Sequence, residues 1–409
     1  MEAVTAPTGR VRIFDALRHR DFRLLWSGQA VSLLGDMAFV TALGWRTFTL
    51  AGSSRLGVVL LCESGAMLAT LLVGGVLADR YERRRMMIVS DVWRFAAVGA
   101  IALVDATGHL TFPILLGLAI LVGLGDGFFY PAVGGIVPLV VEQPALASAN
   151  SLMGIARWGS LMIGPSLAAF TYGAGGASVV FGFNAATFLV SAGLIWLARP
   201  RAVETPPREG TLREIRDGAR YVAGIPWLWV TISLFAVVLM LQYAPQQVLL
   251  PKLVHQHFDR GVGAYGLLTT SLGVGTVLGT IAFGVLQPRR RRGVVAYTVW
   301  LVNSAAIAGL VLSPWFPLAS GLAVLRGACL AFGVAIWETM LQELVPEHLL
   351  ARVISLDVFG SFGLMPVGLA IWASVANVAP PGVLIASGAG VSSVLVAIAL
   401  TRRWLWEID

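Results

Sequence analysis

Lysine, cysteine and histidine are scarce in this 409-residue sequence, and each scarcity excludes a class of chemistry. Lysine occurs once, as Lys252, whereas the phosphate-binding P-loop of ATPases requires a lysine that follows glycine. The two cysteines, Cys62 and Cys329, lie inside apolar runs, where a thiol packs as a small hydrophobic group. All five histidines lie outside the apolar runs, which removes the ligands of bis-histidine haem and zinc hydrolase sites. We therefore predict no enzyme, no cofactor and no metal site.

Charged residues are also scarce, at 12% of the chain, whereas hydrophobic residues make up 57%. Crossing a bilayer takes ~20 mostly apolar residues per helix, so this composition supplies about twelve crossings. We predict an all-α polytopic membrane protein with twelve transmembrane helices. The predicted spans 1 to 12 are 22–49, 56–78, 86–105, 111–134, 147–172, 178–198, 227–251, 262–287, 294–312, 318–341, 353–378 and 382–401.

The basic residues indicate which ends of the spans face the cytoplasm, where positive charge in short loops is retained. Only Arg46, Arg55, Lys252 and Arg260 fall at the ends predicted to face outward. Both chain ends are therefore predicted to be cytoplasmic, and residues 1–21 lack the apolar segment of a cleavable signal. The excess of arginine over lysine fits a bacterial inner membrane. Because the basic residues are dispersed over separate loops, we expect no nucleic-acid binding.

An internal repeat divides the chain. Residues 75–77 read Gly-Val-Leu, as do residues 284–286, and each triplet precedes a run of arginines. The stretch between the halves is rich in proline and charge, with a helical piece predicted from Leu212 to Tyr221. Two parallel repeats around a midplane site are typical of secondary transporters. We predict an N-terminal six-helix half at 1–198, a cytoplasmic linker at 199–225 and a C-terminal six-helix half at 226–409.

The junction of spans 2 and 3 carries the pattern Gly75, Leu77, Ala78, Asp79, Arg80, Arg83 and Arg84. It resembles the signature loop of the major facilitator superfamily. Segments around Trp26, Gly28 and Gln29 in span 1, around Pro131 in span 4 and around Pro138 after that span are similar to the macrolide-efflux and enterobactin-exporter branch of the drug:proton antiporters. The resemblance implies the major facilitator fold, with the first helix of each three-helix unit lining a central cavity.

Ionised side chains at mid-bilayer cost ~2.5 to 3.5 kcal/mol each, so those inside the spans are candidate site residues. Asp36 lies deep in span 1 on the same face as Gln29, and Glu63 of span 2 shares its layer. Asp126 in span 4 and Arg157 in span 5 are predicted to lie at similar depth and to form an ion pair, which lowers the cost of both charges. We predict that Asp36 carries a coupling proton, with Asp126 in reserve.

The second half contributes amides and one cation to the predicted cavity. Gln242 and Gln246 lie one turn apart in span 7, and Arg326 of span 10 is a candidate contact for an anionic substrate. The resemblance implies that Asp79 meets the amino end of span 11 and acts as a gate. Asp91 and Arg94 are three residues apart, which allows pairing on one helix. The predicted gating set is Gly75, Asp79, Arg80, Arg83, Arg84, Asp91 and Arg94.

The leading functional hypothesis is a proton-coupled exporter of hydrophobic or amphiphilic small molecules that works by alternating access. The resemblance supplies the multidrug or macrolide-like substrate class. A siderophore or metabolite exporter of the same fold is the first alternative, favoured by an anionic cargo that meets Arg326 and Arg157. A lipid scramblase or a non-transporting membrane scaffold is the alternative from another class. The predicted partners are a small-molecule substrate, protons and membrane lipids, and the predicted oligomeric state is a monomer.

Overall fold

The computed structural model describes residues 14–201 and 211–406, and these residues are almost entirely helical. Ten helices are long and apolar enough to cross a membrane. One of the ten, Gln143–Leu197, contains two predicted spans. The helix Arg20–Ala51, which carries several charges and is not among the ten, is the remaining span. The described residues thus contain the twelve predicted spans in the predicted order.

The first four spans are single helices, whose bounds are Arg20–Ala51, Ser53–Arg80, Arg83–Ala106 and Phe112–Val140. Spans 5 and 6 are the two arms of Leu146–Leu197. Span 7 comprises Pro226–Val238, a π-helical turn at Leu239–Tyr243 and Ala244–Gln256. Spans 8 to 10 are Val262–Leu286, Arg292–Leu312 and Phe316–Leu344. Span 11 comprises Glu347–Gly363 and Met365–Val375, and span 12 is Pro381–Leu400. Short helices lie at Asp15–Arg18, Gln143–Ala145, Thr211–Gly224 and Arg403–Trp406.

The 52-residue segment Leu146–Leu197 consists of two helices, and the chain reverses direction between them at Gly175 and Gly176. Gly176 has φ 79°, a left-handed conformation that glycine adopts without steric cost. The two ends of the helix lie near the start of the chain, because the Ala16 amide donates to Ser148 Oγ at 3.0 Å and the Arg199 amide donates to Asp21 Oδ1 at 3.1 Å. The two arms are therefore antiparallel neighbours, as two consecutive spans require.

Within each half, a glycine brings two helices into close contact, and the two pairs of helices occupy equivalent positions. In the first half, Gly74 of span 2 faces the backbone of Gly127 in span 4. In the second half, Gly279 of span 8 faces the backbone of Ala328 in span 10. Small residues allow such close approach in membranes, where packing rather than water exclusion holds helices together. The pairing of spans 2 and 4 is thus repeated by spans 8 and 10.

The halves meet at the end of the bundle away from the chain ends. Asn377 Nδ2 after span 11 donates to Ser54 Oγ in span 2 at 3.1 Å. The rings of Trp45 and Tyr265 stack with centroids 5.9 Å apart. Gly57 of span 2 packs against Ala373 and Leu369 of span 11. This end of the bundle is closed, and the opposite end holds the chain ends.

The predicted helix in the linker is confirmed, since Thr211–Gly224 is helical. Gly218 of this helix faces the side chains of Arg352 and Leu356. The helix therefore packs against span 11, at the end of the bundle that holds the chain ends.

Candidate functional site

A buried guanidinium lies at the centre of the first half. Arg94 Nη1 of span 3 is 3.1 Å from Asp126 Oδ1 of span 4 and 4.0 Å from Asp36 Oδ2 of span 1. The same guanidinium hydrogen-bonds Asp91 one turn earlier on its own helix. Three carboxyl groups from three spans therefore share one cation.

Two aromatic rings enclose that cation. The Arg94 guanidinium carbon is 3.9 Å from the ring centroid of Phe129 and 4.3 Å from that of Phe188. The faces of aromatic rings carry partial negative charge and attract cations, most strongly where water is excluded. The rings thus stabilise the charge while they shield it from water.

The three carboxyl groups differ in exposure. The Asp91 side chain is 0% exposed and that of Arg94 is 2% exposed, so these two form a fixed pair. The side chains of Asp36 and Asp126 are 26% and 21% exposed. Asp36 is also the most distant of the three from the guanidinium. It is therefore the carboxyl group that is held least tightly and reached most readily from the space between the helices.

Glycine on span 4 makes room for this arrangement. A Cβ atom on Gly125 would lie 2.8 Å from Cγ of Arg94, so a larger residue would displace the arginine. Ser90 Oγ, one turn before Arg94, donates to the Gly125 carbonyl at 2.5 Å. The glycine-rich segment of span 4 thus places span 3 close enough for Arg94 to reach Asp126.

Glu63 of span 2 adds a fourth carboxyl group to this layer. It lies within electrostatic range of both Asp36 and Asp126, as the sequence led us to expect for Asp36. The Glu63 carbonyl packs against Gly123 of span 4. Four carboxyl groups and one guanidinium carry excess negative charge when all are ionised, which a proton or another cation would relieve. Among the residues that the structure describes, no group of His, Cys, Asp and Glu is placed to hold a metal ion.

The predicted ion pair between Asp126 and Arg157 is wrong, because Asp126 pairs with Arg94. Arg157 is exposed, and its guanidinium lies 5.9 Å from the ring centroid of Trp158. Depth does not separate the two arginines, because at ~1.5 Å per residue Arg157 lies about 16 Å from Leu146, as far as Arg94 lies from Arg83. They differ in the direction of the side chain, since Arg94 is buried and Arg157 is exposed. Span 4 itself runs to Val140 rather than to residue 134. At ~1.5 Å per residue this places Asp126 about 21 Å from that end of the helix, and the same rise places Arg94 about 16 Å into span 3. Both side chains are thus near mid-depth.

The predicted gating residues lie in two places. Span 2 stays helical through Arg80, so only Tyr81 and Glu82 connect it to span 3. Arg94 and Asp91 belong to the buried cluster rather than to this connection. The side chains of Gly75, Asp79 and Arg80 lie outside the described residues, and the gating role of Asp79 stays a prediction.

The two described arginines of that junction contact the first half. Arg84 Nε donates to the Ile195 carbonyl at 3.1 Å, and the same guanidinium donates to the Trp196 carbonyl. These carbonyls end span 6, where the helix dipole favours positive charge. Arg83 packs against Gly135 of span 4. Both arginines thus tie the junction to its own half.

A polar cluster centred on Gln242 occupies the second half. Its amide nitrogen donates to Ser304 Oγ at 2.7 Å and to Ser392 Oγ at 2.5 Å. Its amide oxygen accepts from Asn303 Nδ2 at 2.8 Å. Gln246 Nε2 donates to the Gln242 carbonyl at 2.6 Å. Gln242 therefore links span 7 to spans 9 and 12, with its side-chain groups already satisfied.

Of the remaining predicted site residues, Gln29 borders the Arg94 cluster through Ser191, which hydrogen-bonds Asp91, and Arg326 lies apart from both clusters. Gln29 is buried, and its Nε2 donates to Ser191 Oγ of span 6 at 3.4 Å. Arg326 is buried on span 10 and makes no ion pair with the described residues. The sequence singled out each of these polar residues, but it missed Arg94 as the centre of the site. The spacing of Asp91 and Arg94 was the available signal, because a buried pair on one helix leaves further donors on the guanidinium for other helices.

Comparison with known proteins identifies the family. The model of a family described as "Transmembrane secretion effector" matches residues 12–409, nearly the whole chain. The chain belongs to this family of major facilitator superfamily transporters. The enterobactin exporter EntS of Escherichia coli O139:H28 is 29% identical over 345 residues, which cover 82% of this chain and 80% of the relative. EntS of Shigella boydii serotype 18 matches with the same identity and coverage.

Solved structures share the major facilitator fold with this chain. The nucleoside transporter NupG, as a D323A mutant, superposes with a TM-score of 0.75 at 13% identity, covering 93% of this chain and 99% of that one. A bacterial homologue of the iron transporter ferroportin gives a TM-score of 0.73 at 15% identity, covering 94% and 99%. The family and its relatives are transporters, so the chain is a multi-pass membrane transporter and not an enzyme.

Proposed function

We propose that this transporter is a proton-coupled exporter of hydrophobic or amphiphilic small molecules. The observation that carries the proposal is the cluster in which Asp36 and Asp126 face the already paired Arg94, with Glu63 within electrostatic range of both aspartates. One guanidinium neutralises one of the four carboxylates, so the cluster has capacity for protons. Protonation removes the cost of keeping the others ionised away from water.

Asp36 is the proposed proton carrier. Asp91 is sealed against Arg94, whereas Asp36 lies 4.0 Å from that guanidinium and is partly exposed. A change of water access at Asp36 would alter its preference for the charged form more than that of a sealed group. Alternating access can therefore load a proton on one side of the membrane and release it on the other. A cargo would displace the proton by charge if it is cationic, and otherwise by competing for the same site.

The proposed arrangement has both chain ends in the cytoplasm of a bacterium and two halves, 1–198 and 226–409, that rock about a midplane cavity. The linker, residues 199–225, would permit that motion while its helix stays packed on span 11. Closure by Trp45, Tyr265, Ser54 and Asn377 would then seal the outer side. Asp79 at the junction of spans 2 and 3 would act as a gate on the inner side.

Asp36→Asn tests the coupling. In proteoliposomes with an imposed pH difference, we expect the variant to lose concentrative transport of ethidium while it retains ethidium exchange at equal pH. Asparagine keeps the size of the side chain and removes only the titration. Glu142→Gln is the matched control, because that side chain is 66% exposed and outside the cluster. Concentrative transport by Asp36→Asn under a pH difference alone would refute the proposed role.

Export of a siderophore is the second candidate. It is favoured by the likeness to the enterobactin exporters and by Arg326, a buried cation that no described carboxylate pairs. Accumulation of ethidium, macrolides and siderophores in a host that lacks its own exporters would separate the two. Expression of this chain should lower the accumulation of the true substrate class only.

A further inference from the structure

Arg326 of span 10 is buried without any of the contacts that stabilise Arg94. Its relative exposure is 8%, and its Nε has no hydrogen-bond partner. Within residues 14–201 and 211–406, no carboxylate pairs with it and no aromatic ring lies under its guanidinium. Arginine remains charged in proteins and carries five N–H donors. A charge of this kind inside a membrane needs a partner, and the described part of the chain supplies none.

The surroundings of Arg326 face the other half of the molecule. Tyr243 of span 7 lies within electrostatic range of Arg326 and of Arg157, which belongs to span 5 in the first half. Tyr243 is 40% exposed. Tyr243 also belongs to the π-helical turn Leu239–Tyr243, and π-helical turns are frequent at functional sites.

The buried charges that are left over in the two halves therefore differ in sign. The first half presents Asp36, Glu63 and Asp126, whereas Arg326 lies on the second half beside a phenol. Two of the arginines inside the spans differ correspondingly, because three carboxyl groups face Arg94 and no described carboxylate pairs with Arg326.

We propose that Arg326 binds an anionic group of the transported molecule, with the Tyr243 hydroxyl as a second hydrogen-bonding group. The proposal rests on the proposed export function for the view that the ligand is cargo. The cargo class is an amphiphile with a carboxylate, a phosphate or an acidic phenol on an apolar body. Such a molecule would orient its anionic end toward span 10 and away from the acidic layer around Asp36.

Two dansyl probes that differ only in charge test this site. Dansylglycine carries a carboxylate, and its methyl ester does not. Binding of each to the purified protein in nanodiscs is measured by dansyl fluorescence, with protein-free nanodiscs subtracted. A charge-assisted pair corresponds to about a tenfold gain in affinity, so the wild type should bind the acid about tenfold more tightly than the ester. Arg326→Gln should abolish this preference and leave ester binding unchanged.

Arg260→Gln is the matched control, because Arg260 is an exposed arginine of the same half, and its loss should leave the preference intact. The proposal would be overturned if the wild type bound both probes equally well or bound neither of them. It would also be overturned if the Arg326→Gln variant still preferred the acid. If Arg326→Gln does not fold, Arg326→Lys replaces it. Lysine lacks the planar fork that grips a carboxylate at two points, so the preference should fall severalfold, and an undiminished preference would count against the site.

No pH gradient is applied in these measurements. The anion site can therefore be confirmed even if proton-coupled export is refuted. Proton-coupled export can likewise be confirmed even if the anion site is refuted. The two proposals are thus separable.

Discussion

Among single residues, Arg94 has the most consequences for the first half. Its guanidinium joins Asp91, Asp126 and Asp36, and it lies between two aromatic rings. Desolvating such a group is costly, and the cost is offset only while the partners remain in place. The pair formed by Asp91 and Arg94 is therefore better described as a structural centre that leaves Asp36 and Asp126 available for transport.

Arg94→Gln should destabilise the protein by about 3 to 5 kcal/mol, because it leaves Asp91 buried without its cation. Thermal unfolding of the purified protein in detergent, followed by tryptophan fluorescence, measures the change. The double variant Asp91→Asn with Arg94→Gln should recover much of the loss, since it removes both charges. Arg157→Gln is the control, because Arg157 is exposed and has no ion pair with the described residues. A double variant no more stable than Arg94→Gln would contradict this account.

At the scale of helices, glycines determine which spans come close enough for the site to form. Gly123 of span 4 faces the backbone of Glu63, and Gly127 faces Thr70 and the carbonyl of Met67. Both glycines flank Asp126, so the spacing of spans 2 and 4 positions the acidic layer. Gly117, two turns before Gly123 on the same span, has open space where a Cβ would be.

Gly123→Ala and Gly117→Ala should therefore have opposite effects. Alanine favours a helix over glycine by up to ~1 kcal/mol, so Gly117→Ala should be neutral or stabilising. At Gly123 the added methyl group meets the backbone of Glu63, which cannot rotate away, and overpacking costs about 1 to 3 kcal/mol. Thermal unfolding of the two variants side by side measures the difference. Equal melting temperatures would show that spans 2 and 4 separate without cost.

At the scale of the whole molecule, contacts between the halves close one end. Asn377 Nδ2 bonds Ser54 Oγ, while its Oδ1 accepts from Lys252 Nζ at 3.1 Å. Lys252 also donates to the Ala376 carbonyl at 2.7 Å. The one lysine of the sequence thus holds the side chain that bridges the halves. Alternating access requires these contacts to break in each cycle.

Locking this end should stop transport. In a protein that carries Cys62→Ala and Cys329→Ala, the pair Ser54→Cys and Asn377→Cys should crosslink on oxidation with copper phenanthroline. Ethidium efflux should then fall to background and return after reduction, because the halves can no longer part at this end. Each single cysteine variant, oxidised in the same way, is the control. Undiminished efflux from fully crosslinked protein would show that the closed end need not open.

Hydropathy alone determined the number and order of the spans, because each span must be apolar and must make its backbone hydrogen bonds within its own helix. It also located Asp36, Asp126, Glu63 and Arg326 as costly charges, since the price of a charge in a membrane depends on its own position in the span. The repeat in the sequence likewise predicted two halves, and the helix in the linker was visible in its charged residues.

Only the tertiary structure decided which charges are paired. Asp126 pairs with Arg94 rather than with Arg157 because pairing depends on the rotation and packing of neighbouring helices. These are set by contacts such as that of Gly125 with Arg94, in which residues distant in sequence meet. The same reason explains Arg326, whose isolation is a property of the helices around it. A sequence can show that a buried charge needs a partner, but helix packing determines whether the chain provides one.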